Sequence, residues 1–236
     1  MKNLNRRKSE ESKTLAKLYI VGAGPGSPDY VTPAARKAVQ GAQIVIGAEC
    51  VLDLFREDIK SQTLMLTCEN IDETLKCALD SVKSGKTVAV ISTGDPGFSG
   101  LLGSFLRRSM GENVEVNVIP GISSILACAA KLCMSWDDAV LLTFHKGASI
   151  EGKREFADAV KAGKTVILLP DPASFNPGEI SKCLLSAGVN KETSVIVCEN
   201  LTLANEKIVE TTLEGALNRS FDLTSVIVIK GNPNQK

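Results

Sequence analysis

Leu18-Tyr19-Ile20-Val21-Gly22-Ala23-Gly24-Pro25-Gly26-Ser27-Pro28-Asp29 is the stretch on which the fold turns. Four apolar residues followed by a glycine-rich loop read as a buried strand that ends sharply. Thr32-Pro33 then reads as an N-cap with proline in the first helical position, opening a helix to about Gln40. Ile44–Gly47 follows as a second strand. Strand, loop, helix and strand in that order predict an α/β protein with a largely parallel sheet. A dinucleotide fingerprint is not present, because G-x-G-x-x-G would need glycine where Ser27 stands, and Pro25 stiffens the turn. Glu49, beyond the second strand, is a single acid where a ribose-binding acid would fall, which is a weak signal. A phosphate-binding G-x-x-x-x-G-K-[ST] run is also missing.

Working outward, Leu64–Thr67 reads as a third strand, and Asn70 as the cap of a helix with apolar residues Ile71, Leu75, Ala78, Leu79 and Val82, closed by Gly85. Thr87–Ser92 is a buried strand, a helix runs to about Met110, and Val114–Ile119 is another strand. Pro120-Gly121-Ile122-Ser123-Ser124 breaks the pattern before a small-residue helix, Ile125–Leu132. The division expected is therefore a tail at 1–16, one α/β domain at 17–120 and a second at 121–236. In the second, strands are expected at Ala139–Phe144, Thr165–Leu169, Ser194–Cys198, Lys207–Glu210 and Ser225–Ile229, with helices at about Arg154–Lys161 and Pro177–Ser186. The connection before Lys207 is too short for a parallel crossover, so the second sheet should be mixed.

Equal numbers of basic and acidic residues, 27 each, argue against a general nucleic-acid binder. No apolar run approaches the roughly 20 residues that cross a membrane. Met1–Lys13 is charged without an apolar core, which is not the pattern of a signal peptide. The seven cysteines form no C-x-x-C pair and read as buried, reduced thiols of a cytoplasmic protein. The one histidine, His145, has no ligand-spaced partner, so no metal site is expected.

Three loops follow strands and are rich in glycine, proline and small polar residues: Gly22–Pro28, Thr93–Gly97 and Pro120–Ser124. Any one alone is equally well a tight connection. Because ligands of open α/β sheets bind at strand ends, three together suggest one shared crevice.

In order and spacing, V-G-A-G-P-G-S-P-D, S-T-G-D-P-G-F-S-G and V-I-P-G-I-S-S resemble the tetrapyrrole (precorrin) methylases, from Lys17 onward. Ser135-Trp136-Asp137-Asp138, Thr143-Phe144-His145-Lys146-Gly147 and Cys198-Glu199-Asn200-Leu201 resemble the branch that methylates the carbon-5 bridge of precorrin-6Y or cobalt-precorrin-7. That branch usually has Ser-Leu-His-Gly-Arg at the histidine segment, whereas Lys146-Gly147 reverses the order here. The resemblance implies two α/β domains enclosing a trough, S-adenosylmethionine held between them, and a homodimer. It implies cofactor contacts from Pro25, Gly94, Asp95, Pro96, Phe98, Ser123, Ser124, Pro170, Asp171 and Asn200. A separate polypeptide would supply the carbon-15 methylation and decarboxylation that some relatives carry as a fused domain.

A sulfonium methyl is already activated and the macrocycle carbon is electron-rich, so the protein must chiefly align donor and acceptor and keep the site dry. The candidates for a base that takes a proton from the macrocycle are His145, Glu199 and Asp95, with Asp95 also placed to orient its turn or the cofactor. Lys146 is the basic residue best placed for a substrate carboxylate, and Trp136 has a ring able to stack on a planar macrocycle. The same residues leave open methylation of another precorrin carbon, diphthine synthesis, or a non-catalytic binding module; an NAD-dependent oxidoreductase is weakened by Ser27.

Overall fold

The computed structural model describes residues 16–112, 114–145 and 147–231. Its first half is a five-stranded sheet of β1 (Leu18–Gly22), β2 (Ile44–Gly47), β3 (Gln62–Met65), β4 (Val88–Ser92) and β5 (Val116–Ile119). The strands lie in the order β3-β2-β4-β1-β5, all parallel. Two-residue alternation decides the layers. Leu18, Ile20, Val88 and Val90 face α3 (Ile71–Lys83) and α4 (Leu102–Ser109), whereas Val21, Val45, Ala89 and Ile91 face α1 (Pro33–Gln40) and α2 (Glu49–Leu54). The chain leaves β1 towards one side and β4 towards the other, so the crevice of an open α/β sheet falls between the ends of these two strands.

The second half is a mixed sheet of β6 (Val140–Thr143), β7 (Val166–Leu169), β8 (Ser194–Glu199), β9 (Lys207–Thr212) and β10 (Ser225–Ile229), in the order β6-β7-β10-β8-β9. Only β6 and β7 pair in parallel; β8 and β9 form an antiparallel hairpin through residues 200–206. One face packs on α6 (Ile150–Lys161), α7 (Pro177–Ser186) and α8 (Leu213–Ala216) around Phe144, Phe156 and Phe175, whose rings meet edge-on. The other face is covered by α5 (Ser124–Lys131), through Ile125, Cys128 and Ala129. Phe98, from the loop after β4, packs on that same face and couples the halves. The helix after the third glycine loop thus belongs to the second sheet, so the loop itself lies at the seam.

Several expectations need correction. The third strand lies two residues earlier than expected, because Asn70 turns its side chain backwards: its Oδ1 accepts from Thr67 N at 2.8 Å and its Nδ2 donates to Met65 O at 3.0 Å. It therefore gives no side-chain cap to α3. The α6 helix starts at Ile150, capped by Ser149 Oγ accepting from Gly152 N at 3.1 Å. Cys128 and Cys198 are buried and Cys183 is half-buried, but Cys50, Cys68, Cys77 and Cys133 are exposed, so the all-buried reading of the thiols fails. Each exposed cysteine lies on the outer face of a helix or in a loop, where an apolar neighbourhood in sequence does not mean burial.

Candidate functional site

Asp95 is the side chain that joins the second loop to the third. Its carboxylate accepts from Gly97 N (Oδ1, 2.8 Å) and from Gly121 N (Oδ2, 3.1 Å). The first and second loops exchange main-chain hydrogen bonds, Gly24 N to Gly94 O at 3.2 Å and Gly94 N to Gly24 O at 2.9 Å. Such contact requires residues without side chains: a Cβ on Gly22 would lie 2.4 Å from Gly121 N, and one on Gly121 2.2 Å from Gly94 O. Gly94 also sits at φ 61°, where a side chain is strained. The three loops therefore converge into one main-chain cluster.

Two cavities open beside it. The smaller, about 100 Å³, lies at the seam between Pro25 and Ser124 on one side and Leu169, Cys198, Leu201 and Leu223 on the other. The larger, about 560 Å³, falls within the ~300–1,000 Å³ usual for small-molecule sites. It runs along the ends of β2, β3 and β4, bounded by Ala48, Thr67, Thr93, Ser99, Ser104 and, from the second half, His145. Among its described lining residues there is no Asp, Glu, Lys or Arg. Thr143 Oγ1 donates to Ser99 Oγ at 2.9 Å, tying the halves together beside this cavity, with Ser99 at φ 61°. A further groove of about 490 Å³ follows α3 from Glu73 to Ser84; its walls all come from that helix and the residue after it.

The expected site residues are distributed as follows. Pro25 and Ser124 line the smaller cavity, while Ser123 is buried and its Oγ accepts from Ile125 N at 3.3 Å as the cap of α5. Pro96 is buried within its turn, its carbonyl accepting from Leu102 N at 3.1 Å. Pro170 is buried after β7, and it is Leu169 just before it that reaches the cavity. Asp171 closes its own turn, accepting from Ala173 N at 2.9 Å and Ser174 Oγ at 2.5 Å. The Ser174 hydroxyl above all, then Ala173 N and more weakly His145, hold the Asp171 carboxyl below its ordinary range. Asn200, at φ 51°, donates through Nδ2 to Asp222 Oδ2 at 2.5 Å and through its main chain to Thr224 O at 2.9 Å, fixing the loop whose Leu223 and Thr224 wall the smaller cavity.

Glu199 points elsewhere. Strand alternation puts Ile196 and Cys198 on the α5 side and Val195 and Val197 on the opposite face, so Glu199 faces away from the smaller cavity, and it does not line the larger. It is 1% exposed, accepts from Asp222 N, and lies 3.5 Å from Lys207 Nζ. Of the candidate bases, His145 is the one that lines the larger cavity. Trp136 is 42% exposed on its turn and borders neither cavity. Lys146 lies outside the described residues. Sequence reasoning missed Thr67, Ser99 and Ser104 as lining residues; the rule that ligands gather at strand ends points to Thr67, just after β3. Among the described residues no group of three or more His, Cys, Asp or Glu stands close enough to hold a metal ion, and no helix is long and apolar enough to cross a membrane.

An open parallel sheet, main-chain loops gathered at its switch point and cavities beside them are the features of an α/β enzyme with a small-molecule site. The family profile for Tetrapyrrole (Corrin/Porphyrin) Methylases matches residues 17–217, and the chain belongs to that family. It is 37% identical to a "Probable cobalt-precorrin-7 C(5)-methyltransferase" of Methanocaldococcus jannaschii, over 91% of this chain and 98% of that one. The precorrin-6Y methylase of Archaeoglobus fulgidus is similar in structure, with TM-score 0.68 and 24% identity over 92% of this chain and 98% of that one. So is the uroporphyrin-III C-methyltransferase of Thermus thermophilus solved with S-adenosyl homocysteine, with TM-score 0.75 and 19% identity over 91% and 92%. These two likenesses speak to the fold.

Tetrapyrrole methylases use S-adenosylmethionine, and the residues here fit that ligand. The glycine cluster leaves main chain rather than side chains against the seam, and Leu169, Leu201 and Val226 give the smaller cavity apolar walls suited to a flat ring.

Proposed function

We propose that this chain transfers the methyl group of S-adenosylmethionine to carbon 5 of cobalt-precorrin-7, or of the equivalent metal-free precorrin, in cobalamin biosynthesis. One observation carries the reading: three main-chain turns meet at the seam beside a cavity of about 560 Å³, large enough for the reacting part of a macrocycle. The cofactor supplies an activated methyl cation equivalent. Pro25, Ser124 and the turn held by Asp95 position it, while the cavity along β2, β3 and β4 holds the acceptor.

Two features of that cavity suit the chemistry. The sulfonium charge spreads towards the macrocycle as the methyl transfers, and a dry pocket with no Asp, Glu, Lys or Arg among its described lining residues favours that dispersal. Fixed turns hold donor and acceptor in line, an effect that can supply up to about 7–11 kcal/mol. His145 is the candidate to take up the proton released by the macrocycle, being the cavity's imidazole.

The test is incubation with labelled S-adenosylmethionine and a panel of cobalt-precorrins, followed by product mass. A gain of one methyl on cobalt-precorrin-7 without loss of carbon dioxide is expected; turnover of a different precorrin alone would overturn the carbon-5 assignment. A homodimer in the cytoplasm, with carbon 15 handled by a separate polypeptide, completes the proposal. Free thiols suit a reducing compartment. Sedimentation of the same preparation should give the mass of two chains, and the mass of one would refute the dimer.

A further inference from the structure

The β8–β9 turn concentrates backbone strain. Among the described residues four non-glycine residues have positive φ, and two of them, Asn200 and Thr202, fall in this one turn. Thr202 stands at φ 70°, a region that branched side chains avoid because Cβ crowds the backbone. Strain of this kind persists only where surrounding contacts enforce it, and it gathers at functional sites.

The enforcing contacts are on hand. Thr202 N donates to Glu206 Oε2 at 2.6 Å, and Glu206 Oε1 pairs with Lys131 Nζ at 2.8 Å. Lys131, and after it Thr202 N, hold the Glu206 carboxyl below its ordinary range, so it stays ionised and able to do both. Lys131 ends α5, the helix whose first residue, Ser124, lines the smaller cavity. On its other side Thr202 reaches across the seam: its Oγ1 accepts from Ser27 N at 3.0 Å, 175 residues away in sequence. Leu203 follows it, close enough that a Cβ on Gly26 would meet its Cδ2 at 2.9 Å. Between the two strained residues, Leu201 faces the cavity opposite Pro25.

A hairpin turn needs none of this to close. The contacts make sense if the object being held is the first glycine loop. We propose that Glu206, anchored by Lys131, is a positioning residue for cofactor binding: it fixes Thr202 in the left-handed conformation, and the Thr202 hydroxyl in turn locks Pro25–Ser27 against the cavity. The inference rests on the reading of that cavity as part of the S-adenosylmethionine site. Without the clamp, the first loop and the second half are no longer tied at Ser27, and the cofactor must order them on binding.

Titration calorimetry with S-adenosyl homocysteine tests it, alongside the steady-state constants for S-adenosylmethionine. Thr202→Val removes the hydroxyl but keeps the shape, and Glu206→Ala removes the anchor. Each is expected to weaken S-adenosyl homocysteine about three- to tenfold, the loss of one well-placed hydrogen bond, with the Michaelis constant for S-adenosylmethionine rising more than kcat falls. Thr202→Ser, which retains the hydroxyl, should recover most of the affinity. Should Glu206→Ala fail to fold, Thr202→Val against Thr202→Ser still decides. Equal affinity in the unaltered protein and Thr202→Val would overturn the clamp while leaving the cofactor reading intact. No binding by the unaltered protein would overturn the cofactor reading, and the clamp with it.

Discussion

Gly121→Ala is expected to remove nearly all methyl transfer and to lower the melting temperature. The new Cβ would lie 2.2 Å from Gly94 O and 2.8 Å from Gly22 Cα, contacts no real side chain makes. Neither neighbour is free to retreat. Gly94 is bonded to Gly24 in both directions, and Gly22 ends β1 in register with Ser92 of β4. Overpacking a core costs about 1–3 kcal/mol where side chains can shift; here backbone meets backbone, and the upper end or beyond applies. A loss of about 3 kcal/mol would lower the melting temperature by roughly 6–12 °C in a chain of this size. Displacement of the loops by about 1 Å would cost roughly a hundredfold in rate. Calorimetric melting and a methyl-transfer assay check both; normal values in each would mean the loops do not meet.

Asp95→Leu should leave the fold standing and strike the cofactor. Leucine fills similar space but accepts nothing, so Gly97 N and Gly121 N both lose their partner. Hydrogen bonds to a charged group are worth about 1.5–3 kcal/mol each, and part of that loss is returned by water at this half-buried position. Affinity for S-adenosyl homocysteine is therefore expected to fall about 10–100-fold, with Asp95→Asn intermediate because it keeps one acceptor oxygen. Unchanged affinity by calorimetry would refute the bracing role of Asp95.

Much of this arrangement is written in local sequence. The apolar run before Gly22 and the Thr32-Pro33 signal announce β1 and α1 because both depend on neighbours a few residues apart. The short β8–β9 connection likewise announces an antiparallel pair. Contacts between distant residues leave no such trace. Nothing in Thr93–Gly97 says that Asp95 will reach Gly121, or that Phe98 will pack on the second sheet. The short helices α2 and α8 escaped because six and four residues carry too little periodicity. Glu199 illustrates the limit most directly: its strand was legible, but which face it took depended on where Cys198 met α5.

A crystal structure with S-adenosyl homocysteine bears most directly on the convergence of the three turns. The ligand should lie in the seam, touching Pro25, the Asp95–Pro96 turn and Ser124 together, with one end against Leu201. A ligand bound elsewhere, or one meeting a single turn while the other two face different surfaces, would contradict the account.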